Sequence, residues 1–178
     1  NLRACLSDIH FVYRVAPYTE IFSIGTITVN NDLVADLKII FREFYNEPAF
    51  SMSLVEPIYH FEWDDKKSMW SNNTSGFNYR YISRSKRLSN HSIGRAIDIN
   101  PRVNPWVGRD GRLDPSNGSI DPNEPGSFLT GSPAHYLVES FRKKGWRWGG
   151  DWKSIKDYQH FEKEISYPGD KYCQRPNR

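Results

Sequence analysis

Cysteine is scarce in this 178-residue chain: Cys5 and Cys173 are the only two, one near each end. A pair so far apart excludes a cysteine-rich structural zinc knot and a disulfide-dense scaffold. It leaves open a single bridge tying the termini together in an oxidising compartment, provided the two side chains lie within bonding distance. Long apolar runs are also missing, and the mean hydropathy is −0.70, so no transmembrane helix is expected. Charge of one sign is nowhere concentrated. The formal net charge of +3 and sequence pI near 8.8 describe an ordinary solvated surface with at most a weak pull on anionic polymers. No Lys/Arg-rich block argues for nucleic acid; Arg80, Arg84, Lys86 and Arg87 cluster, but they lead directly into a different motif. There is no Gly-x-Ser-x-Gly, no His-Glu-x-x-His and no phosphate-binding glycine loop. A Cys–His enzyme would have to use Cys5 or Cys173, which sit in no motif. The chain opens on Asn1 rather than Met, so a removed leader is expected and no targeting signal remains to be read.

What is present supports one domain over residues 1–178, without repeats or a low-complexity linker. Hydrophobic residues make up 38% and aromatics 15%, enough for a packed core. Residues 20–29 read as extended structure, and Asn30 or Asn31 can cap a following helix. Leu33, Val34, Leu37, Ile40, Phe41, Phe44 and Tyr45 share one face of that helix, which Pro48 follows. Residues 53–61, 77–82 and 95–100 read as strands, and 69–76 as a polar turn. Residues 101–131, rich in Pro, Gly, Asn and Asp, form a long irregular insertion, a polar loop or substrate lid. A second helix is expected from Ser132 as cap and Pro133 as first residue to Gly145 as stop, with Tyr136, Leu137 and Phe141 on its buried face.

Two stretches carry chemistry. The first is Ser89-Asn90-His91-Ser92-Ile93-Gly94-Arg95-Ala96-Ile97-Asp98; the second is Asp157-Tyr158-Gln159-His160-Phe161-Glu162. His91, Asp98 and His160 are the donor types zinc takes, and a catalytic zinc keeps three protein ligands with one position open. A helix from 91 to 98 is disfavoured by Gly94, Ile97 and Ile99, so a loop-to-strand turn should bring His91 and Asp98 together, with Gly94 permitting close approach to the metal. On the strand, Ala96 and Asp98 point to one face and Ile97 and Ile99 to the other. Asp157, three residues before His160, suits a general base for a water acidified by the metal. Arg80 suits an oxyanion or a substrate carboxylate. Ser89 could bind substrate backbone and Trp152 could wall the pocket. Glu162 could orient His160 or simply pair with a lysine. His10, His60 and His135 have no such company and read as structural.

The pattern Ser-x-His-(x)6-Asp, followed by Gly-Trp-x-Trp-Gly-Gly-Asp-Trp and Asp-x-x-His-Phe-Glu, resembles the metallo D-alanyl-D-alanine carboxypeptidase family. The closest branch is that of the L-alanyl-D-glutamate endopeptidases, and the resemblance covers roughly residues 20–165. It implies zinc ligands His91, Asp98 and His160, a catalytic base at Asp157 where relatives often have Glu, and an active-site arginine at Arg80. It implies an α+β fold with helices packed on a central antiparallel sheet, as in the Hedgehog signalling domain. It also implies one zinc ion, peptidoglycan stem peptides as substrate, and action in the cell envelope, secreted or periplasmic, or as a phage lysin. A terminal D-alanine carboxypeptidase and a zinc-containing wall-binding module are the rival readings, and a monomer is expected. The insertion 101–131 has no match in that pattern.

Overall fold

The structure, a computed structural model, describes residues 2–17, 20–83 and 85–164. After a 3-10 turn at Leu2–Cys5, strand β1 (Leu6–Arg14) pairs antiparallel with β2 (Phe22–Asn30) along their whole length. Sequence reading found β2 but not β1. Its alternation is clear only in retrospect, with Ile9 and Tyr13 buried while Asp8, His10 and Val12 face solvent. Asn30 caps the next turn by accepting from the Asp32 amide, and α1 (Val34–Asn46) follows. Leu37, Ile40, Phe41 and Phe44 are buried as expected, whereas Tyr45 is exposed and lies against Phe22.

The expected strand over 53–61 is broken in two. Only β3 (Leu54–Val55) is extended, and Pro57 then leads into a 3-10 turn at Ile58–Phe61. The supposed polar turn at 69–76 begins inside α2 (Asp65–Trp70), which Asp64 caps with bonds from the amides of Lys66 and Lys67. It continues as β4 (Asn73–Thr74), parallel to β3 and fully buried. Asn73 is buried because its side chain is used: it donates to the Glu56 carbonyl and accepts from the Glu56 amide. Residues 77–82 form no regular strand, only a bridge from Tyr81 to Leu88.

The site sits on β5 (Ala96–Asp98). The insertion contributes β6 (Trp106–Val107) and β7 (Leu113–Asp114). The second helix starts later than expected, as a 3-10 turn at His135–Leu137 leading into α3 (Val138–Arg142). Ser132 does cap locally, accepting from the Ala134 amide, and Gly145 at φ 78° ends the segment. Tyr136 is on the outer face, 56% exposed with its hydroxyl on Glu47, rather than in the core. Then come β8 (Arg147–Trp148), β9 (Lys156–Asp157) and β10 (His160–Glu162).

The fold is mixed α and β. Among the described residues the strands divide among small sheets, β1-β2, β3-β4, β5-β10-β8 and β7-β6-β9, rather than one central antiparallel sheet flanked by helices. One aromatic core joins them. Phe161 of β10 stacks on Phe141 of α3 at 4.0 Å between ring centroids, Phe128 packs edge-on to Phe161, and Phe44 of α1 meets both Phe128 and Phe141. No helix among the described residues is long and apolar enough to cross a membrane. Cys5 is buried, but the bridge to Cys173 that the sequence left open lies outside the described residues, as do Arg84 and the tail.

Candidate metal centre

β5 and β10 are antiparallel, and their register sets His160 directly opposite Asp98 and Phe161 opposite Ile97. Opposed residues in an antiparallel pair point to the same face, and successive residues to opposite faces. His160 and Asp98 therefore share one face while Phe161, Ile97 and Ile99 enter the core, as the alternation in the sequence required.

His91 arrives from a single 3-10 turn, Asn90–Ile93. Ser89 begins it: its hydroxyl accepts from the His91 amide at 3.3 Å, so this buried residue caps the turn. Gly94 ends it in the left-handed region at φ 66°. A Cβ there would lie 2.6 Å from the Asn30 nitrogen, so the glycine is required by β2 rather than by close approach to a metal. Asn30 grips the turn, its amide donating to the Gly94 carbonyl at 2.8 Å and its side chain to Ile93 at 3.2 Å. The segment after β4 closes the other side, with Ser75 exchanging both backbone bonds with Asp98 at 2.9 Å.

Three buried residues turn donor atoms toward one another, and one ligand atom from each lies within 4.8 Å of the others. Asp98 Oδ1 is 3.0 Å from His160 Nδ1, Asp98 Oδ2 is 3.1 Å from His91 Nε2, and the two nitrogens are 3.3 Å apart. Zinc bonds of about 2.0–2.1 Å at tetrahedral angles place ligand atoms about 3.3 Å apart, the spacing of the two nitrogens, and each nitrogen has its own Asp98 oxygen within 3.1 Å, so the donor set suits that ion. The outer nitrogens support the same reading. His91 Nδ1 donates to the Gly76 carbonyl at 2.7 Å, and His160 Nε2 faces Glu162 Oε2 at 3.3 Å. Each imidazole thus has an acceptor on its far side that fixes the tautomer with its lone pair toward the cluster. Glu162 takes the orienting role, and its remaining partners are Asn90 and Arg147 rather than a lysine.

Without metal, the site holds protons tightly. Burial opposes charge on His160, but its contacts with Asp98 and Glu162 win and raise its pKa to about 10. The same pairing outweighs burial at Glu162 and lowers it to about 2. Asp98, despite burial, is held well below the usual carboxylate range by the two histidines. Asp157 goes the other way: burial pushes it up to about 7, assisted by Asp98 and opposed by His160 and Arg80. Its Oδ1 is enclosed and has no hydrogen-bond partner among the described residues.

Arg80 lies beside the cluster, Nη2 at 3.8 Å from Asp98 Oδ2. Its backbone is locked to the metal turn: Ser92 Oγ accepts from the Arg80 amide at 3.0 Å and donates to its carbonyl at 2.6 Å. Sequence reading missed its partner, Asp65. That carboxylate approaches Arg80 Nε at 3.1 Å, off the line of the N–H, and accepts from Asn78 at 2.9 Å. Burial raises the Asp65 pKa against the pull of Arg80. As an acidic residue in the first turn of α2, just after the cap Asp64, it carries no sequence signal beyond ordinary helix chemistry. Trp152 is half-buried with its ring 5.6 Å from that of His160, at the edge of the site. His10 bonds Thr26, His60 pairs with Glu56 and His135 bonds the Phe128 carbonyl, all outside the cluster.

Residues 83–163 match the family model of D-alanyl-D-alanine carboxypeptidase. The segment holding His91, Asp98, His160 and Asp157 is thus similar to that peptidase family, in agreement with the resemblance read from the motifs. Arg80 and Asp65 lie just outside the matched residues. No solved structure matches the chain.

Proposed function

We propose that this protein is a zinc peptidase that cuts peptidoglycan stem peptides internally, as an L-alanyl-D-glutamate type endopeptidase acting outside the cytoplasm. The observation that carries the reading is the cluster itself: one donor atom each from buried His91, Asp98 and His160, all within 4.8 Å of one another, with acceptors behind both imidazoles. His91 Nε2, Asp98 and His160 Nδ1 would hold the ion. Zinc, when bound, supplies Lewis acidity, making a water nucleophilic at neutral pH and polarising the scissile carbonyl.

The protein's own residues do the rest. Asp157, ionised, takes the proton of the attacking water and delivers it to the leaving amine. Burial raises its pKa above the ordinary carboxylate value, which suits a group that must accept and then release a proton. Arg80 donates to the oxygen on which negative charge develops. Trp152 lines the approach.

Internal cleavage is favoured by the surroundings of Arg80. Its guanidinium already faces Asp65 at 3.1 Å and Asp98 at 3.8 Å, so its charge is in large part answered within the protein: it keeps N–H groups to polarise an oxygen but little net charge to hold a full carboxylate. Recognition of a free terminal carboxylate needs a cation that is not already paired. Binding in mid-chain needs only donors along the peptide.

The test is a digest of purified peptidoglycan with zinc-loaded and chelator-stripped protein, read by mass spectrometry, with a stem peptide supplied as free acid and as C-terminal amide. Zinc-dependent fragments cut after L-alanine, equally from acid and amide, are expected. Release of terminal D-alanine from the free acid alone would make it a carboxypeptidase. No cleavage by protein carrying one zinc would favour a wall-binding module.

A further inference from the structure

We propose that the insertion 101–131 is the scaffold of the catalytic base, and that its strand β6 together with Gly149 positions the Asp157 carboxylate. The inference rests on Asp157 acting as the base.

The segment 101–131 begins three residues after Asp98, the last residue of β5, and both of its ends are fastened at one point. Asn100 and Asn104 are fully buried. Asn100 Nδ2 donates to the carbonyls of Ser51 at 2.7 Å and Gly126 at 3.3 Å. Asn104 Nδ2 donates to Ile99 at 3.1 Å and Gly126 at 2.9 Å, and its Oδ1 accepts from the Phe128 amide at 2.6 Å. A buried amide side chain that satisfies both its donor and acceptor sides specifies one geometry. The long loop is thereby rooted in the core beside the metal ligands.

From that root β6 runs antiparallel to β9, with Trp106 opposite Asp157 and Val107 opposite Lys156. The Tyr158 amide adds a bond to the Pro105 carbonyl at 3.3 Å. On its other side Asp157 abuts Gly149, where a Cβ would lie 2.4 Å from the Asp157 carbonyl oxygen and 2.8 Å from its Cβ. Lys156 Nζ also reaches the Gly150 carbonyl at 2.9 Å. Asp157 is therefore held between the insertion and a glycine that no other residue can replace without moving it. A catalytic group must be placed to within about 0.5 Å, so such a shift is costly for catalysis.

The experiment compares Gly149→Ala, Asp157→Asn and the double variant for cleavage, zinc affinity and thermal stability, with Asn104→Ala added for the root. Gly149→Ala is expected to bind one zinc with unchanged affinity and to lose at least about tenfold in kcat with little change in KM. The double variant is expected to be no slower than Asp157→Asn, because both changes remove the same function. Amide exchange should quicken at residues 156–158 in both Gly149→Ala and Asn104→Ala, while Asp98 and Phe161 stay protected; this readout needs no activity. Full activity in Gly149→Ala, a loss that multiplies with that of Asp157→Asn, or unchanged exchange at 156–158 would each overturn the scaffold role. An Asp157→Asn variant as active as the parent would instead remove the base assignment on which the inference rests.

Discussion

Zinc binding to this site should expel a proton, and the structure says from where and how strongly it is held. In the metal-free protein His160 is shared between Asp98 at 3.0 Å and Glu162 at 3.3 Å, and its pKa stands at about 10. Its cluster-facing Nδ1 is the atom needed for the metal, so the proton must leave. At pH 7, three units below that value, displacement weakens apparent zinc affinity about 10³-fold, or about 4 kcal/mol. Affinity should therefore climb about tenfold per pH unit between 7 and 9, with about one proton released per zinc at pH 7. Competition against a chelator of known pH dependence gives the slope, and calorimetry in two buffers of different ionisation heat gives the proton count. In Glu162→Gln the acceptor remains but the charge is gone. The slope should flatten, and affinity at high pH should fall about 10–100-fold, as for other partners behind a metal ligand. A flat affinity between pH 7 and 9 with no proton release would show that His160 is not the protonated ligand, and the tautomer argument would fall with it.

Four further outcomes follow from the same geometry. Asp157→Asn should keep its zinc and lose about 10²–10⁴-fold in kcat; the acid limb of the pH profile should also go, and in the parent enzyme that limb should lie below 7 because the metal's charge lowers the carboxyl from its metal-free value of about 7. Arg80→Ala should cost about 10²–10³-fold in kcat, and Asp65→Asn should lower kcat less and, by unpairing Arg80, improve binding of peptides with a free carboxylate, which inhibition by such peptides would measure. Metal-free protein should lose stability as pH rises: Asp157 is raised, so its contribution fades between 3.8 and about 7, and His160 is raised, so its contribution is full below 6.5 and fades through about 10. Thermal melts at pH 6 and 9 with and without zinc would show this, and a metal-free melt that rose with pH would contradict it. Phe161→Ala should destabilise by about 3–5 kcal/mol in denaturant melts, since the ring is fully buried against Phe141 and Phe128.

The meeting of His91, Asp98 and His160 in one buried cluster was legible because their placement obeys short-range rules. His91 and Asp98 lie within one turn and one strand, and alternation alone puts Asp98 and His160 on faces opposite to Ile97 and Phe161. Glycine, serine and asparagine around them mark the turn that carries His91. The helix α1 was equally legible from its apolar stripe. What could not be read depends on contacts distant in sequence. Residues 69–76 look like a solvated turn because nothing local shows that Asn73 and Ser75 spend their polar groups on Glu56 and Asp98. Strand β1 hides its alternation behind polar and charged neighbours, and its pairing with β2 gives it order. Pro57 is a local signal that was available, and it stops β3 where the reading extended it.

The hardest residues to see were those that act on a functional residue rather than on substrate. Asp65 lies 15 positions before Arg80 on a helix whose own capping explains two adjacent acids. Only the fold reveals that one of them turns toward the site. The same holds for the insertion: its composition speaks of turns, which is correct, yet Asn100 and Asn104 convert those turns into a fixed support because each is buried with its amide satisfied. Sequence shows which groups can do chemistry; three-dimensional contacts decide which are held still. In this molecule the candidate metal ligands are held by β5, β10 and the Asn90–Ile93 turn, and Asp157 lies against β6 and Gly149. Two supports that differ in this way can be perturbed separately, so metal affinity and turnover should separate under mutation.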